Sequence, residues 1–159
     1  MDRLGWRVFA GVRTGEDARS LEQAASASLS AVFVDLTEPA SVREAAAQVT
    51  EAVGNNGLAG LVNNAGIGLG GPVEFLDLDE VRTCFEVNVF GGLALTQACL
   101  TALRAAKGHI VNVSSVSGLV AVPFLGPYAA SKFALEAFSD SLRVELRPWG
   151  IPVSVIQMG

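Results

Sequence analysis

Cysteine, tyrosine and histidine are nearly missing from this chain, and charges are sparse. Of 159 residues, two are Cys, one is Tyr and one is His, and 17% are charged. Cys84 and Cys99 lie in one apolar helical stretch without metal-ligand spacing. They exclude a disulfide framework and a metal site, and read as buried free thiols of a reducing compartment, the cytoplasm. His109 stands before a strand, apart from any cluster, and reads as structural. There is no basic cluster and the net charge is −5, so neither nucleic acid nor an anionic membrane surface is an expected partner. Met1-Asp2-Arg3-Leu4 carries charges and no apolar run, so no signal peptide is expected. The stretch Ile110 to Ser131 lacks charge, as a membrane span does. It also holds Ser114, Ser115, Gly118, Pro123 and Pro127, which a lipid-exposed helix does not carry together, so no transmembrane segment is expected. Without repeats, low-complexity tracts or long linkers, residues 1–159 read as one domain.

What is present is apolar and finely divided. Half the residues are hydrophobic and 17 are Gly, the composition of a tightly packed α/β protein. Strand-like runs at Trp6–Val12, Ala31–Val34, Leu58–Asn63, His109–Val113 and Val153–Ile156 alternate with helix-length segments. That order predicts βαβ units and a parallel sheet. Thr37 is the expected N-cap of a helix with Pro39 just inside it. From about Leu78 to Ala106 one apolar stripe runs through Val81, Phe85, Gly92, Thr96, Cys99 and Leu103. A second stripe runs through Val87, Phe90, Ala94, Ala98 and Ala102, which predicts a helix buried on two sides.

Ligands of such sheets bind at the carboxyl ends of the strands. Those ends are Val12-Arg13, Asp35-Leu36, Asn63-Asn64-Ala65-Gly66, Ser114-Ser115 and Met158-Gly159. The next helix, expected to run to about Arg147, opens with Tyr128-Ala-Ala-Ser-Lys132, which places Tyr128 and Lys132 on one face a turn apart. A phenol ordinarily ionises near pH 10. An ammonium one turn away favours the phenolate, which is how a general acid/base is brought toward working pH. Taken alone, the pair could equally be an aromatic anchor and a solvated lysine.

Four elements in order carry a resemblance. Asn63-Asn64-Ala65-Gly66 after a strand, Asn88 in the long helix, Ser115 thirteen residues before Tyr128, and Tyr128-x-x-x-Lys132 together resemble the short-chain dehydrogenase/reductase family, in particular its retinol- and hydroxysteroid-dehydrogenase-like members. The resemblance spans essentially the whole chain. It implies a Rossmann-type, doubly wound parallel sheet and an NAD(P)-dependent oxidoreductase interconverting an alcohol and its carbonyl by hydride transfer. Tyr128 would be the general acid/base. Lys132 would assist Tyr128 and bond the nicotinamide ribose, Ser115 would donate to the substrate oxygen, and Asn88 would hold a water relay behind the lysine. Otherwise Asn88 is a core amide bonded to nearby backbone and Ser115 a turn residue.

On the cofactor side the resemblance implies that Asp35, followed by Leu36, caps the adenine, and that Asn63, Ala65 and Gly66 flank the adenosine ribose. The ribose-reading position, an acid in NAD enzymes, is Val12 here and is followed by Arg13. A guanidinium can pair with a 2′-phosphate, which favours NADP, with NAD possible, unless Arg13 is a solvated loop residue. The apolar run Val122–Pro127 suggests an apolar alcohol or ketone as substrate. The complete form is expected to be a homodimer or homotetramer.

Two parts of the family pattern are not found. The glycine-rich turn Gly-x-x-x-Gly-x-Gly and the strand before it, which would lie mid-sheet, are absent, and Met158 stands where a proline usually precedes glycine. The expectation is therefore a fold lacking its first strand, incomplete at both ends. The alternative to the enzyme is a truncated, catalytically inactive remnant that at most self-associates through its long helices.

Overall fold

Strand and helix alternate as the sequence predicts in the computed structural model, which describes residues 1–159. The strands are β1 (Val8–Val12), β2 (Leu29–Phe33), β3 (Gly60–Asn63), β4 (His109–Ser115) and β5 (Val153–Met158). Between them lie α1 (Gly15–Ala24), α2 (Pro39–Val53), α3 (Leu78–Phe85), α4 (Gly92–Ala106) and α5 (Gly126–Glu145). All pairings are parallel. β1 lies on β2 with Val8 opposite Leu29 and Val12 opposite Phe33. β4 is central to the other group, with Gly60 of β3 opposite His109 and Ile110 opposite Val153 of β5.

The strands form two groups, β1–β2 and β3–β4–β5, and β1 does not pair with β3. Each therefore keeps one unpaired edge. This is the Rossmann-type arrangement without its first strand, split where that strand would lie. The three-stranded group and its helices share a core of Ala46, Cys99, Leu103, Ile110, Leu146, Ile151 and Val153. Leu103, Ile110 and Ile151 are almost fully buried, each stabilising the fold by roughly 1.5–3 kcal/mol. Helix α2 joins the two groups. Its Ala46 enters that core, and the carbonyl of Ala52 near its end accepts from Nη1 of Arg7, before β1, at 2.7 Å.

Helices α3 and α4 form one run from Leu78 to Ala106, long and apolar enough to cross a membrane by length and composition. Asn88 and Thr96, both buried in it, find hydrogen-bond partners within the fold, as a core helix requires. The expected burial on two sides is corrected. Cys99, Ala102 and Leu103 are buried, but Phe90 is 49% exposed and Ala98 is exposed. Phe90 lies in a π turn, Glu86–Gly91, between the two helices, whose wider winding breaks the 3.6-residue period at that point.

The π turn also brings Gly91 against the loop after β2. A Cβ there would lie 2.5 Å from the Cβ of Leu36 and 2.6 Å from its carbonyl oxygen, a backbone atom that cannot swing aside. Gly91→Ala in the full-length protein is expected to destabilise by about 1–3 kcal/mol, the usual cost of overpacking. Thermal unfolding that left the melting temperature unchanged would count against this close approach.

Two local expectations shift. Thr37 is not a helix cap: α2 follows Glu38, which makes no side-chain cap bond, while Thr37 bonds the carboxylate of Asp35. Helix α5 starts at Gly126, with Pro127 in its first turn, and ends at Glu145, where Arg147–Trp149 tighten into a 3-10 turn. Cys84 and Cys99 are buried free thiols, and His109 opens β4 with Nε2 2.9 Å from Ser154 Oγ, as a structural residue does.

Candidate active site

Pro127 presets the first turn of α5, and the small residues Ala129 and Ser131 let that turn sink against the sheet; both are buried. The same burial carries Lys132 inward until it is 4% exposed. Its Nζ donates to the carbonyl of Val113 in β4 at 2.9 Å and lies 5.7 Å from the centre of the Tyr128 ring. Burial pushes the Lys132 pKa below the usual lysine value, with a smaller opposing pull from Cys84. The energetic cost of that burial is present below the lowered pKa and disappears as pH rises toward the ordinary lysine value. An ammonium held this way is not a solvated lysine.

Asn88 lies in the π turn and is 4% exposed. Its Oδ1 accepts from the amide of Ile67 at 2.7 Å, and its Nδ2 donates to the carbonyl of the same residue at 2.9 Å. The amide thus clamps the loop that continues from Asn63-Asn64-Ala65-Gly66. Nδ2 also donates to Ser131 Oγ at 3.0 Å, and Ser131 donates to the carbonyl of Tyr128 at 2.7 Å. Cys84 closes the cluster, 3.4 Å from Asn88 Nδ2. Burial pushes the Cys84 thiol pKa up, so it stays a neutral packing group.

Ser115 ends β4, two residues beyond the carbonyl that holds Lys132. Its Oγ accepts from the amide of Ser117 at 3.1 Å, leaving the hydroxyl proton free to donate. Ser114 beside it is 2% exposed and its hydroxyl has no partner.

The cofactor-side residues divide. Gly66 meets the catalytic cluster directly: a side chain there would come 3.3 Å from Asn88 Oδ1 and 3.4 Å from Lys132 Nζ. Its absence leaves a cradle in front of the ammonium, and this fits a ribose laid against Lys132. Ala65 is exposed in the same loop. The Asn63 side chain faces inward: its Nδ2 donates to Thr96 Oγ1 at 2.9 Å and Asn112 Oδ1 at 2.8 Å, which leaves its backbone as the part toward the carboxyl edge. Its side chain is committed to joining β3, α4 and β4, because a half-buried amide beside two buried acceptors bonds them in preference to a surface ligand.

Asp35 is partly buried, and Oδ1 accepts from both the amide and the hydroxyl of Thr37. Those bonds, the hydroxyl first, hold its carboxyl below the usual range, with a minor contribution from the Arg13 guanidinium. The stability this contributes is present above the ordinary Asp pKa and is lost as pH falls through the lowered one. Leu36 is the residue packed on Gly91. Arg13 is exposed after β1, and neighbouring Thr14 caps α1 by accepting from the Asp17 amide. Ser131, Asn112 and Ser139 were missed by sequence reasoning. Asn112 donates to Ser139 at 2.8 Å in the interior, and nothing in a lone Asn or Ser marks it as facing inward.

Parallel strands wound with helices, and a Tyr–Lys turn at their carboxyl edge beside a glycine cradle, define a Rossmann-type fold of the dehydrogenase kind. The model of the short chain dehydrogenase family matches residues 1–159, and the chain belongs to that family. Retinol dehydrogenase 5 of Mus musculus is 42% identical over 160 residues, 100% of this chain and 50% of that protein. An NADPH-dependent 3-dehydrocapnine reductase of Ornithobacterium rhinotracheale is 39% identical, over 98% of this chain and 56% of its own length. The crystal structure of a short-chain dehydrogenase from Streptomyces avermitilis superposes with a TM-score of 0.91 at 33% identity, covering 98% of this chain and 57% of that one. The chain spans about half the length of the curated relatives it matches.

Proposed function

We propose that the full-length protein is an NADP-dependent oxidoreductase that interconverts an apolar alcohol and its carbonyl, with Tyr128 as general acid/base. The observation that carries this reading is the buried Lys132 ammonium, anchored to Val113 and set 5.7 Å from the Tyr128 ring centre. A nicotinamide cofactor would supply the hydride acceptor for the alcohol carbon, or the hydride donor for the carbonyl. In the oxidation direction Tyr128 takes the hydroxyl proton, and in reduction it gives one to the carbonyl oxygen. Ser115 donates its free hydroxyl proton to that oxygen, stabilising the charge that develops there. Lys132, with two ammonium protons left beyond the Val113 bond, would hold the cofactor ribose beside Gly66. Asn88 sets that loop through Ile67.

The apolar substrate is supported by the loops around Tyr128. The Gly71 amide donates to the Phe124 carbonyl at 2.7 Å, joining two loops that expose Val73, Phe75, Leu119, Val120 and Phe124. The retinol dehydrogenase among the relatives points the same way. Exposed Phe133, Phe138 and Val144 on α5 support self-association of the complete protein, and the buried free thiols support a cytoplasmic location. For the 159 residues by themselves, the unpaired edges of β1 and β3 favour a second reading, an inactive remnant that self-associates.

NADP preference rests on Arg13 and on Val12, which brings no carboxylate to repel a 2′-phosphate. The full-length protein is expected to prefer NADP(H) to NAD(H), and Arg13→Ala to narrow the gap by about 1.5–3 kcal/mol, the range for a charged hydrogen bond. Steady-state kinetics with both cofactors and a retinol-like alcohol test this. A clear NAD(H) preference in the unmutated protein removes the cofactor assignment, and no turnover of any alcohol or ketone removes the enzyme.

A further inference from the structure

Ser131 is completely buried, and its one hydroxyl is shared between two parts of the site. It donates to the carbonyl of Tyr128 at 2.7 Å and accepts from Asn88 Nδ2 at 3.0 Å. Asn88 in turn holds both backbone groups of Ile67. Besides Ser131 and the Ile67 carbonyl, Asn88 Nδ2 has Cys84 Sγ at 3.4 Å, a weak acceptor. One oxygen therefore joins the Tyr128–Lys132 turn, the π turn and the loop that carries Gly66. These segments come from distant parts of the chain and meet nowhere else through a side-chain oxygen of α5.

We propose that Ser131 is a positioning residue: through Asn88 it sets the Gly66–Ile67 loop against Lys132, and through the Tyr128 carbonyl it sets the turn that presents the phenol. The proposal rests on the oxidoreductase reading above. Without the hydroxyl, one Asn88 N–H faces only sulfur, and the amide is held by Ile67 alone, with nothing tying it to α5. Lys132 Nζ and Asn88 Oδ1 both border the position of a Gly66 side chain, so a shift of Asn88 alters the space in front of the ammonium.

The test uses Ser131→Ala and Ser131→Cys in the full-length protein. The cysteine variant fills the site but offers only a weak acceptor, and it carries the comparison if the alanine variant does not fold. Turnover of alcohol oxidation at saturating substrate is expected to fall about tenfold, within what a small misplacement of reacting groups produces. The KM for the alcohol is expected to stay within about twofold of that of the unmutated protein, so that the loss falls on turnover. Amide hydrogen exchange at Ile67 is expected to speed up by about tenfold or more in the same variants. Turnover that stays in place while the melting temperature falls makes Ser131 merely structural and overturns the proposal. Unchanged protection of Ile67 overturns the coupling through Asn88, and this readout needs no turnover. Failure of the unmutated protein to oxidise any alcohol sinks the oxidoreductase reading instead.

Discussion

Tyr128→Phe in the full-length protein should lower turnover by about 10²-fold or more, the loss that removal of a general acid/base produces. Cofactor affinity should stay close to that of the unmutated protein. The substitution keeps the ring, which is half-buried at the start of α5, and removes only the oxygen that carries the proton. Neither the Lys132–Val113 bond nor the Ser131 bond to the Tyr128 backbone involves that oxygen, so the local fold is retained. Gly66, Asn88 and Lys132, which are proposed to cradle the cofactor ribose, are equally untouched. The measurement is turnover at saturating substrate together with cofactor binding by fluorescence titration. Near-normal turnover in the Phe variant would falsify the assignment of Tyr128. A parallel collapse of cofactor binding would instead show that the phenol supports the fold.

Residues 1–159 expressed by themselves should associate and show no measurable turnover, although Tyr128, Lys132, Ser115 and Asn88 are all in place. The reason is the division of the sheet. The edges of β1 and β3 that face away from their partners bear unpaired amides and carbonyls. Val62, in the body of β3, is 48% exposed. An apolar edge of that kind is a template for strands of other molecules. Each backbone group buried there without a partner costs about 1–3 kcal/mol, against a whole-domain stability of about 5–15 kcal/mol. The glycine-rich turn that feeds a helix N-terminus, the anion site for a pyrophosphate, is not among these residues either. Size-exclusion chromatography and a reductase assay decide the matter. A monodisperse, cooperatively melting monomer that reduces a ketone would sink this expectation.

Tyr128, Lys132 and Asn88 are arranged by contacts among β4, α5, the π turn and the Ile67 loop, and the π turn in turn packs on Leu36 after β2. On the function proposed above, reaction also needs a cofactor along the carboxyl edge, from Arg13 and Asp35 to Gly66, which spans both strand groups.

The alternation of strands and helices, the parallel class and the Tyr128–Lys132 pairing were determined by sequence alone. Apolar runs with turn residues between them dictate βαβ units, and a four-residue spacing on a helix puts two side chains on one face whatever surrounds them. The break between β1 and β3 was legible as well, because the strand and glycine turn of the family pattern could be seen to be missing. Tertiary structure decided the rest. Asn63, expected at the ribose, turns inward because Thr96 and Asn112 wait there from α4 and β4, and no local pattern reveals partners that lie 33 and 49 residues away. Phe90 fell within the π turn at Glu86–Gly91 and is exposed, and a periodicity that assumes one helical pitch cannot register a change of pitch. Thr37 was claimed by the Asp35 carboxylate before it could cap α2. Ser131 became the link between Tyr128 and Asn88 only because α5 packs against the π turn, since a hydroxyl takes its role from whichever polar groups burial brings within reach.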